Sequence, residues 1–307
     1  MCGTCGCGAT AETRILNLQT GEETSLRDDH SHSHGHEHQH DHDDGHVHSR
    51  HYDHTPDHGH SHDHGHSHDH DHDHSHSREQ SHGHGQAASP VVTLEAQILA
   101  KNDALAARNR GWFGGREILA LNLVSSPGAG KTTLLERTIR DLKGQMPISV
   151  IEGDQATAND GSRIRAAGAA AVQINTGAGC HLEADMIAKG LAELKPAAGS
   201  VVMIENVGNL VCPALFDLGE RAKILILSVT EGDDKPLKYP HMFKAAEIMI
   251  INKTDLLPYV DFDVNAAIAN ARQVNPEIIT LQVSAKTGEG LGTWYQWLHR
   301  AAAEARL

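Results

Sequence analysis

Residues Ser125-Ser-Pro-Gly-Ala-Gly-Lys-Thr-Thr133 decide the fold, because this stretch has the pattern of a phosphate-binding loop. It follows an apolar, β-rich run at 118–125 and precedes a helical stretch at 131–142, which is where such a loop lies. The glycines let backbone N–H groups approach phosphate oxygens, the lysine supplies a cation, and the threonine hydroxyl suits Mg²⁺. Ser125 stands where the first glycine of such loops usually lies, which requires a negative φ. The residues assigned to the nucleotide are Gly128, Ala129, Gly130, Lys131, Thr132 and Thr133.

Outward from this loop, short apolar runs alternate with helical stretches from residue 116 to residue 307. Runs without a polar side are typical of parallel strands that are covered on both faces. The sequence therefore predicts one α/β domain at 116–307, a three-layer P-loop NTPase fold with a mainly parallel sheet. A linker helix at 90–115 precedes it, and we expect Trp112 and Phe113 to anchor this helix to the domain.

The first 90 residues have a composition of their own. Of the 26 histidines, 23 lie between His30 and His84, and residues 1–90 carry 16 acidic but only 4 basic side chains. The overall net charge of -14 therefore belongs mostly to this part of the chain. Its few apolar side chains cannot offset the entropy lost on ordering. We predict a cysteine-headed arm at 1–29 and a disordered, His-rich segment at 30–89.

Composition excludes several classes of protein. The nearly balanced charge of residues 91–307 leaves no basic stripe for nucleic acid. No apolar run approaches the roughly 20 residues that a membrane helix needs. The N-terminus lacks the basic and apolar regions of a secretory signal, and five unevenly placed cysteines do not resemble a secreted disulfide scaffold. The sequence predicts a reduced, cytoplasmic protein that binds neither nucleic acid nor membrane.

The stretch Asn252-Lys-Thr-Asp255 follows an apolar run and predicts a guanine site. A carboxylate at Asp255 can accept from both N1–H and the exocyclic amine of guanine, a pair of donors that adenine lacks. We expect the Lys253 stem to cover the base and Asn252 to tie this loop to the phosphate loop. A backbone N–H of the later Ser-Ala-Lys stretch is expected to meet guanine O6, so GTP is preferred to ATP. The residues assigned to the base are Asn252, Lys253, Asp255, Ser284, Ala285 and Lys286.

Hydrolysis requires Mg²⁺ and a positioned water. Glu205 ends an apolar run, where its carboxylate would hold a magnesium-bound water, and Gly208 would meet the γ-phosphate through its N–H. Asp154 is the first candidate to orient the attacking water or to hold Mg²⁺, and Asp160 is the second. Because no glutamine stands directly after Gly208 and no arginine finger is evident, we expect slow intrinsic turnover. The catalytic residues are thus Lys131, Asp154 and Glu205, and the Mg²⁺ ligands Thr132, Asp154 and Glu205.

Two patterns near the N-terminus indicate transition metals. The repeated His-x-His with interspersed carboxylates suits Ni²⁺, Zn²⁺ or Cu²⁺, and a purely solvating tail is the alternative. Proton competition should make this metal capacity collapse below about pH 6.5. Cys2, Cys5 and Cys7, with the α-amine of Cys2, allow a square-planar Ni²⁺ or a tetrahedral Zn²⁺ site. A redox pair and an incidental cluster are the alternatives for these cysteines.

A further candidate metal site lies inside the domain. Cys180 and His181 open a helix, and Cys212 lies four residues beyond Gly208. We expect that one subunit does not complete a four-ligand shell, and that two subunits about a two-fold supply paired Cys180 and Cys212 with His181 nearby. The short distance along the chain from Gly208 to Cys212 predicts that nucleotide state and metal geometry are linked. Buried free cysteines beside a helix N-terminus are the alternative.

The chain resembles the HypB family of hydrogenase-maturation GTPases, in the SIMIBI class of P-loop GTPases. Five stretches carry the resemblance, namely 126–132, 152–155, 180–181, 205–212 and 252–255. The resemblance implies a G domain that dimerises with GTP and binds Ni²⁺ or Zn²⁺ at the matching Cys and His positions. It also implies a HypA-like accessory protein and, as the recipient of nickel, the large-subunit precursor of [NiFe]-hydrogenase. The His-rich run then implies added nickel storage.

Related proteins would differ at identifiable positions. A UreG-type urease chaperone is expected to show Cys-Pro-His, and a CobW-type protein Cys-x-Cys-Cys near the phosphate loop, and the sequence contains neither. A different class of function is a nickel or zinc buffer whose nucleotide domain is only structural. The variant Lys131→Ala separates the two, since a buffer keeps its role without hydrolysis.

Overall fold

The computed structural model describes residues 13–25, 90–154, 159–177 and 179–306. The predictions for Cys2, Cys5 and Cys7 and for the His-rich segment 30–89 lie outside these residues. The described strands are β1 (Arg14–Asn17), β2 (Glu23–Ser25), β3 (Leu119–Ser125), β4 (Ile148–Asp154), β5 (Ala170–Asn175), β6 (Val201–Glu205), β7 (Ala222–Ser228), β8 (Ile248–Asn252) and β9 (Ile279–Gln282).

The described helices begin with one long helix between β2 and β3, and most of the others alternate with the strands. They are α1 (Pro90–Gly114), α2 (Lys131–Asp141), α3 (Asn159–Ala167), α4 (Ala184–Leu194), α5 (Cys212–Leu215), α6 (Lys235–Lys238), α7 (Pro240–Ala245), α8 (Val264–Val274) and α9 (Leu291–Glu304), with a 3₁₀ helix at Thr254–Tyr259. The short helices α5 and α6 and the 3₁₀ helix were not predicted from the sequence.

One sheet joins these strands in the order β2-β1-β5-β4-β6-β3-β7-β8-β9. Neighbours run parallel from β5 to β9, whereas β1 is antiparallel to β5 and β2 is antiparallel to β1. Every residue of β3, β6 and β8 is buried, as the sequence predicted for a sheet that is covered on both sides. The carboxyl ends of the parallel strands therefore meet at one edge, where α/β proteins bind ligands.

Helices cover both faces of the sheet, which confirms the three-layer fold. Apolar side chains of α2, α3 and α9 pack on one face, where they meet Leu121 and Leu123 of β3. On the other face, α1 and α4 pack around Ala120 and α7 and α8 around Val124. Successive residues of a strand point to opposite faces, so β3 contributes to the packing on both sides.

A hairpin of β1 and β2 lies at one edge of the sheet and corrects the prediction of an arm over 1–29. Ile15 is only 1% exposed and packs with Ile174 of β5. Leu18 reaches α3 so closely that a Cβ built on Gly161 would lie 2.5 Å from its Cδ1. Residues 14–25 therefore belong to the folded domain, because two apolar side chains pack into it.

The long helix α1 packs along α4 and against β3. Phe113 is buried at its C-terminal end, as expected, and Trp112 packs edge-on to it with ring centroids 5.6 Å apart. Arg116 lies over the Trp112 ring, 4.4 Å from its centroid. Two polar residues, Asn102 and Asn109, are also buried on this helix. α1 is thus a packed part of the domain along much of its length.

A nucleotide site adjoining a cluster of metal ligands

The phosphate loop has the backbone that its sequence requires. Ser125 ends β3 and has a negative φ, as was necessary for a residue in place of the first glycine. Its hydroxyl oxygen accepts a hydrogen bond from Lys131 Nζ at 2.9 Å, which holds the lysine in the loop. Gly128 and Gly130 have φ values of 73° and 98°, in the left-handed region that glycine adopts without strain. The loop precedes α2, whose N-terminus favours an anion.

The loop that the sequence assigns to guanine is joined by hydrogen bonds to the phosphate loop, and the predicted contact of Asn252 is present. Asn252 Nδ2 donates to Ala129 O at 3.0 Å, and Lys253 Nζ donates to Gly128 O at 2.7 Å. A Cβ built on Gly130 would lie 2.6 Å from Asn252 Nδ2, so the two loops approach too closely for any larger residue. The loops predicted to bind the base and the phosphates therefore have a fixed position relative to each other.

The candidate base-binding residues lie together at the ends of β8 and β9. Ser284 Oγ donates to Asp255 Oδ1 at 2.6 Å and orients this carboxylate. The Ala285 N–H, in the Ser-Ala-Lys stretch whose backbone is expected to meet guanine O6, donates to Asn252 Oδ1 at 3.1 Å and so fixes its loop beside Asn252. Lys286 is exposed at the same edge. Contacts of these groups with a base remain a prediction.

A hydroxyl and a carboxylate meet beside the phosphate loop. Thr132 Oγ1 donates to Glu205 Oε1 at 2.7 Å, and both residues are at least nine-tenths buried. Hard oxygen donors of this kind fit Mg²⁺, which prefers oxygen ligands in octahedral geometry. Gly208 follows in the chain and packs on the phosphate loop, since a Cβ there would lie 3.0 Å from Pro127 Cα. Glu205 and Gly208 therefore both lie beside the phosphate loop, and their contacts with Mg²⁺ and phosphate stay predictions.

Two further carboxylates lie on the neighbouring strand β4. Asp154 is its last residue and is partly buried, and its carbonyl accepts from Thr176 N–H at 2.9 Å. Glu152 is 2% exposed and lies in register with Glu205 of β6, so the sequence analysis missed a buried carboxylate at this site. The alternation of β4 places Glu152 on the same face as Asp154, but the pairing with Glu205 depends on a strand register that spacing does not reveal. The side chain of Asp160 lies outside the described residues.

Cys180, His181 and Cys212 form one cluster within a single chain. Cys180 Sγ lies 2.9 Å from Cys212 Sγ and 3.6 Å from His181 Nδ1, and one ligand atom from each residue lies within 4.8 Å of the others. No disulfide joins Cys180 and Cys212. Three potential ligands from one chain do not fill a four-ligand shell, so the expected contribution of a second subunit stays a prediction. One chain supplies three ligands, because the loop after β5 folds against the start of α5.

Local hydrogen bonds hold the two parts of this cluster. Thr176 Oγ1 donates to Gly179 O at 2.8 Å, which turns the chain toward Cys180. Asn209 Nδ2 donates to Cys180 O at 3.4 Å, and its Oδ1 accepts from Val211 N–H at 2.8 Å. The imidazole of His181 lies against the Phe216 ring, with centroids 3.9 Å apart. Two thiols and an imidazole suit Ni²⁺ or Zn²⁺.

The end of β6 connects this cluster to the nucleotide site. Glu205 faces the phosphate loop, and the next residue, Asn206, points to the opposite face, as alternation along a strand requires. Asn206 Oδ1 accepts from Leu182 N–H at 3.2 Å, one residue after His181. Gly208 and Cys212 then follow within seven residues of Glu205. A shift of this segment on nucleotide exchange would therefore act on both sites.

In the described part of the chain, every helix is too short or too polar to cross a membrane. Residues 119–282, the span from β3 to β9, match the family described as "CobW/HypB/UreG, nucleotide-binding domain".

Curated relatives and solved structures agree with this match. The chain is 59% identical to the hydrogenase maturation factor HypB of Rhizobium leguminosarum bv. viciae over 217 residues, which is 71% of this chain and 73% of that protein. It is 58% identical to HypB of Escherichia coli strain K12 over 208 residues, 68% of this chain and 72% of the relative. The crystal structure of HypB from Helicobacter pylori in complex with nickel has a TM-score of 0.63 and 39% identity, covering 66% of this chain and 96% of that one. On this evidence the chain belongs to the HypB family of hydrogenase maturation factors, within the wider CobW/HypB/UreG nucleotide-binding group.

Proposed function

We propose that this protein is a GTP-hydrolysing nickel metallochaperone, which stores Ni²⁺ and helps to insert it into the large subunit of [NiFe]-hydrogenase. The observation that carries the proposal is the segment 205–212, which runs from the carboxylate beside the phosphate loop directly to Cys212 of the metal-ligand cluster. The relatives are named hydrogenase maturation factors, and one solved relative contains nickel, which supports nickel as the cargo.

GTP is the proposed nucleotide because Asp255, oriented by Ser284, matches the two donors on the guanine edge. Lys131 and the N–H groups of the loop bind the phosphates. Asp154, or Glu152 beside it, orients the attacking water. Thr132 and Glu205 would hold Mg²⁺, which supplies charge neutralisation at the β- and γ-phosphates when bound. Turnover is slow, since Asn209 and not a water-positioning glutamine directly follows Gly208.

Nickel or zinc is held by Cys180, His181 and Cys212, and a second subunit completes the ligand shell in a GTP-dependent homodimer. Val211 and Leu215 flank Cys212 and are 55% and 52% exposed, which supports a contact surface around the cluster. The partners are a HypA-like accessory protein and the precursor of the hydrogenase large subunit. The site of action is the cytoplasm, where thiols stay reduced. Cys2, Cys5, Cys7 and the His-rich segment collect and store the metal.

The test is the affinity of the internal cluster for Ni²⁺ with a non-hydrolysable GTP analogue and with GDP. The full chain is used with Cys2, Cys5 and Cys7 replaced by serine, and binding is followed by the thiolate-to-nickel charge-transfer absorption, to which imidazole ligands of the His-rich segment do not contribute. We expect affinities that differ at least several-fold between the two nucleotides, because allosteric couplings are typically about 5- to 150-fold. Equal affinity in both states would remove the GTP-gated part of the proposal.

A further inference from the structure

Two asparagines of α1 each contact both of the segments that carry the metal-ligand cluster. Asn102 Oδ1 accepts from Ala184 N–H at 2.9 Å, while its Nδ2 donates to Asp217 O at 2.7 Å. Asn109 Nδ2 donates to Ala184 O at 2.7 Å and to Leu218 O at 3.0 Å. Because about two helical turns separate the two asparagines, they lie on one face of α1. This face therefore bridges the two segments twice.

The bridged backbone lies close to the ligands. Ala184 is the first residue of α4, three residues after His181, and Asp217 lies five residues after Cys212. Asn102 and Asn109 are each only 5% exposed. Removing either side chain would take hydrogen bonds away from backbone groups in a buried place, which costs free energy.

The segment that follows Cys212 is pressed onto α1. Gly219 has a φ of 90°, and a Cβ there would lie 2.6 Å from Ala106 O and 2.6 Å from Asn109 Cβ. Arg110 Nη2 donates to both carboxylate oxygens of Asp217, at 2.8 and 2.6 Å. Burial alone would raise the pKa of Asp217, but the hydrogen bonds from Arg110 and the Gly219 N–H outweigh it and hold this pKa below its ordinary value. Residues 217–219 are therefore held in a fixed position against α1.

A second connection between the same segments lies inside the domain. Leu182 N–H donates to Asn206, Asn206 Nδ2 donates to Asn122 Oδ1 at 3.2 Å, and Asn122 Nδ2 donates to Glu220 Oε1 at 3.0 Å. Glu220 Oε2 accepts from Leu218 N–H at 2.7 Å. This connection passes through Asn206, next to the segment that faces the nucleotide. The hydrogen bonds from α1 do not involve Asn206, so they hold the two segments together independently of the phosphate loop.

We propose that Asn102 and Asn109 are positioning residues for the cluster, because they hold its two segments at the separation at which both sulfurs and the imidazole reach one ion. The identity of the ion as nickel or zinc cargo rests on the proposed function. The separation of the two sulfurs is independent of the proposed function. The proposal is therefore tested first without any metal and then with one.

The first measurement is the equilibrium between the two thiols and glutathione. In the full, metal-free chain with Cys2, Cys5 and Cys7 replaced by serine, glutathione disulfide oxidises Cys180 and Cys212 to a disulfide and is itself reduced to two molecules of glutathione. The equilibrium constant reports the effective concentration of one thiol at the other. We expect Asn102→Ala and Asn109→Ala to lower it about tenfold, through loss of buried hydrogen bonds that fix the segments.

The matched control is Asn275→Ala, because Asn275 Nδ2 also joins two backbone carbonyls, those of Phe243 and Ala246, at 3.1 and 2.9 Å. It lies at the end of α8 and bonds to the C-terminal part of α7, not to either segment of the cluster, so it should leave the thiol equilibrium unchanged. Asn109→Ser, whose shorter side chain cannot span both segments, serves if the alanine variants do not fold. Equilibrium constants equal to that of the parent chain in folded Asn102 and Asn109 variants would overturn the proposal.

The second measurement titrates the same variants with Ni²⁺ and follows the thiolate-to-nickel absorption. We expect nickel affinity to fall about tenfold in the Asn102 and Asn109 variants and to stay unchanged in Asn275→Ala. If the parent chain itself shows no thiolate band, the proposed nickel site fails, while a shifted thiol equilibrium still supports the positioning role. Unchanged nickel affinity together with an unchanged thiol equilibrium overturns the positioning role and leaves the nickel site intact.

Discussion

At the scale of single residues, the choice of base depends on the carboxylate of Asp255. Asn at this position presents one donor and one acceptor, so the exocyclic amine of guanine would face another donor. Xanthine has a carbonyl in place of that amine, and this carbonyl can accept a hydrogen bond from the Asn side-chain amide. We expect Asp255→Asn to lose about 10- to 100-fold in GDP affinity and to bind xanthosine diphosphate more tightly than GDP. Competition against a fluorescent nucleotide measures both affinities.

The control is Asp261→Asn, the same chemical change at an exposed position beyond the 3₁₀ helix. It should preserve the preference for GDP. An Asp255→Asn chain that still favours GDP over xanthosine diphosphate as strongly as the parent would show that Asp255 does not read the base.

The residues whose position in the fold was predictable from the sequence all lie close to a strand end. Lys131, Thr132 and Asn252 lie within a few residues of a strand end, so their position follows from the strand–loop–helix pattern alone. Glu152 and the asparagines of α1 were missed because their roles depend on partners far along the chain. A polar residue on a helix or within a strand is usually exposed, and nothing in its own segment shows that it is buried and bridging.

At the scale of elements, the alternation of strands and helices from 116 to 307 was predictable, since fully apolar runs and helical spacing differ clearly in period. The hairpin of β1 and β2 was not. Ile15 is the one buried apolar residue of β1 and every residue of β2 is exposed, so the pair has little hydrophobic pattern of its own. Its position depends on pairing with β5, more than 150 residues away, which composition and spacing do not encode.

The hairpin should nonetheless contribute to stability. Ile15 is buried among aliphatic side chains of β4 and β5, so Ile15→Ala removes apolar contact and leaves a cavity. We expect a loss of about 2–5 kcal/mol in the free energy of unfolding, measured by chemical denaturation of the full chain. Ile279→Ala, on the edge strand β9 where the side chain is 36% exposed, is the matched control and should cost less. Equal, small losses for both would mean that the hairpin packs only weakly on the sheet.

At the scale of the whole molecule, the nucleotide site and the metal-ligand cluster lie at the same edge of the sheet but depend on opposite faces. Glu205 joins Thr132 on the side of α2, and Asn206 joins Leu182 on the side of α1 and α4. The two sites share one segment and no described side-chain ligand. A substitution should therefore be able to abolish either site and leave the other intact. Such variants distinguish a nucleotide-dependent metallochaperone from a protein that only stores metal.

The variant Lys131→Ala should disable the nucleotide site and leave the metal-ligand cluster intact. Lys131 is 9% exposed and its Nζ is held by Ser125 in the phosphate loop, so its loss removes the cation from the phosphates without touching Cys180, His181 or Cys212. We expect hydrolysis to fall about 100-fold or more, nickel bound per chain to stay unchanged, and cells carrying the variant to yield hydrogenase without nickel. A chain lacking residues 30–84 is the complementary variant, with less bound nickel and normal hydrolysis. If Lys131→Ala still supports nickel-containing hydrogenase, delivery does not depend on the nucleotide, and the protein acts as a buffer whose nucleotide domain serves only the fold.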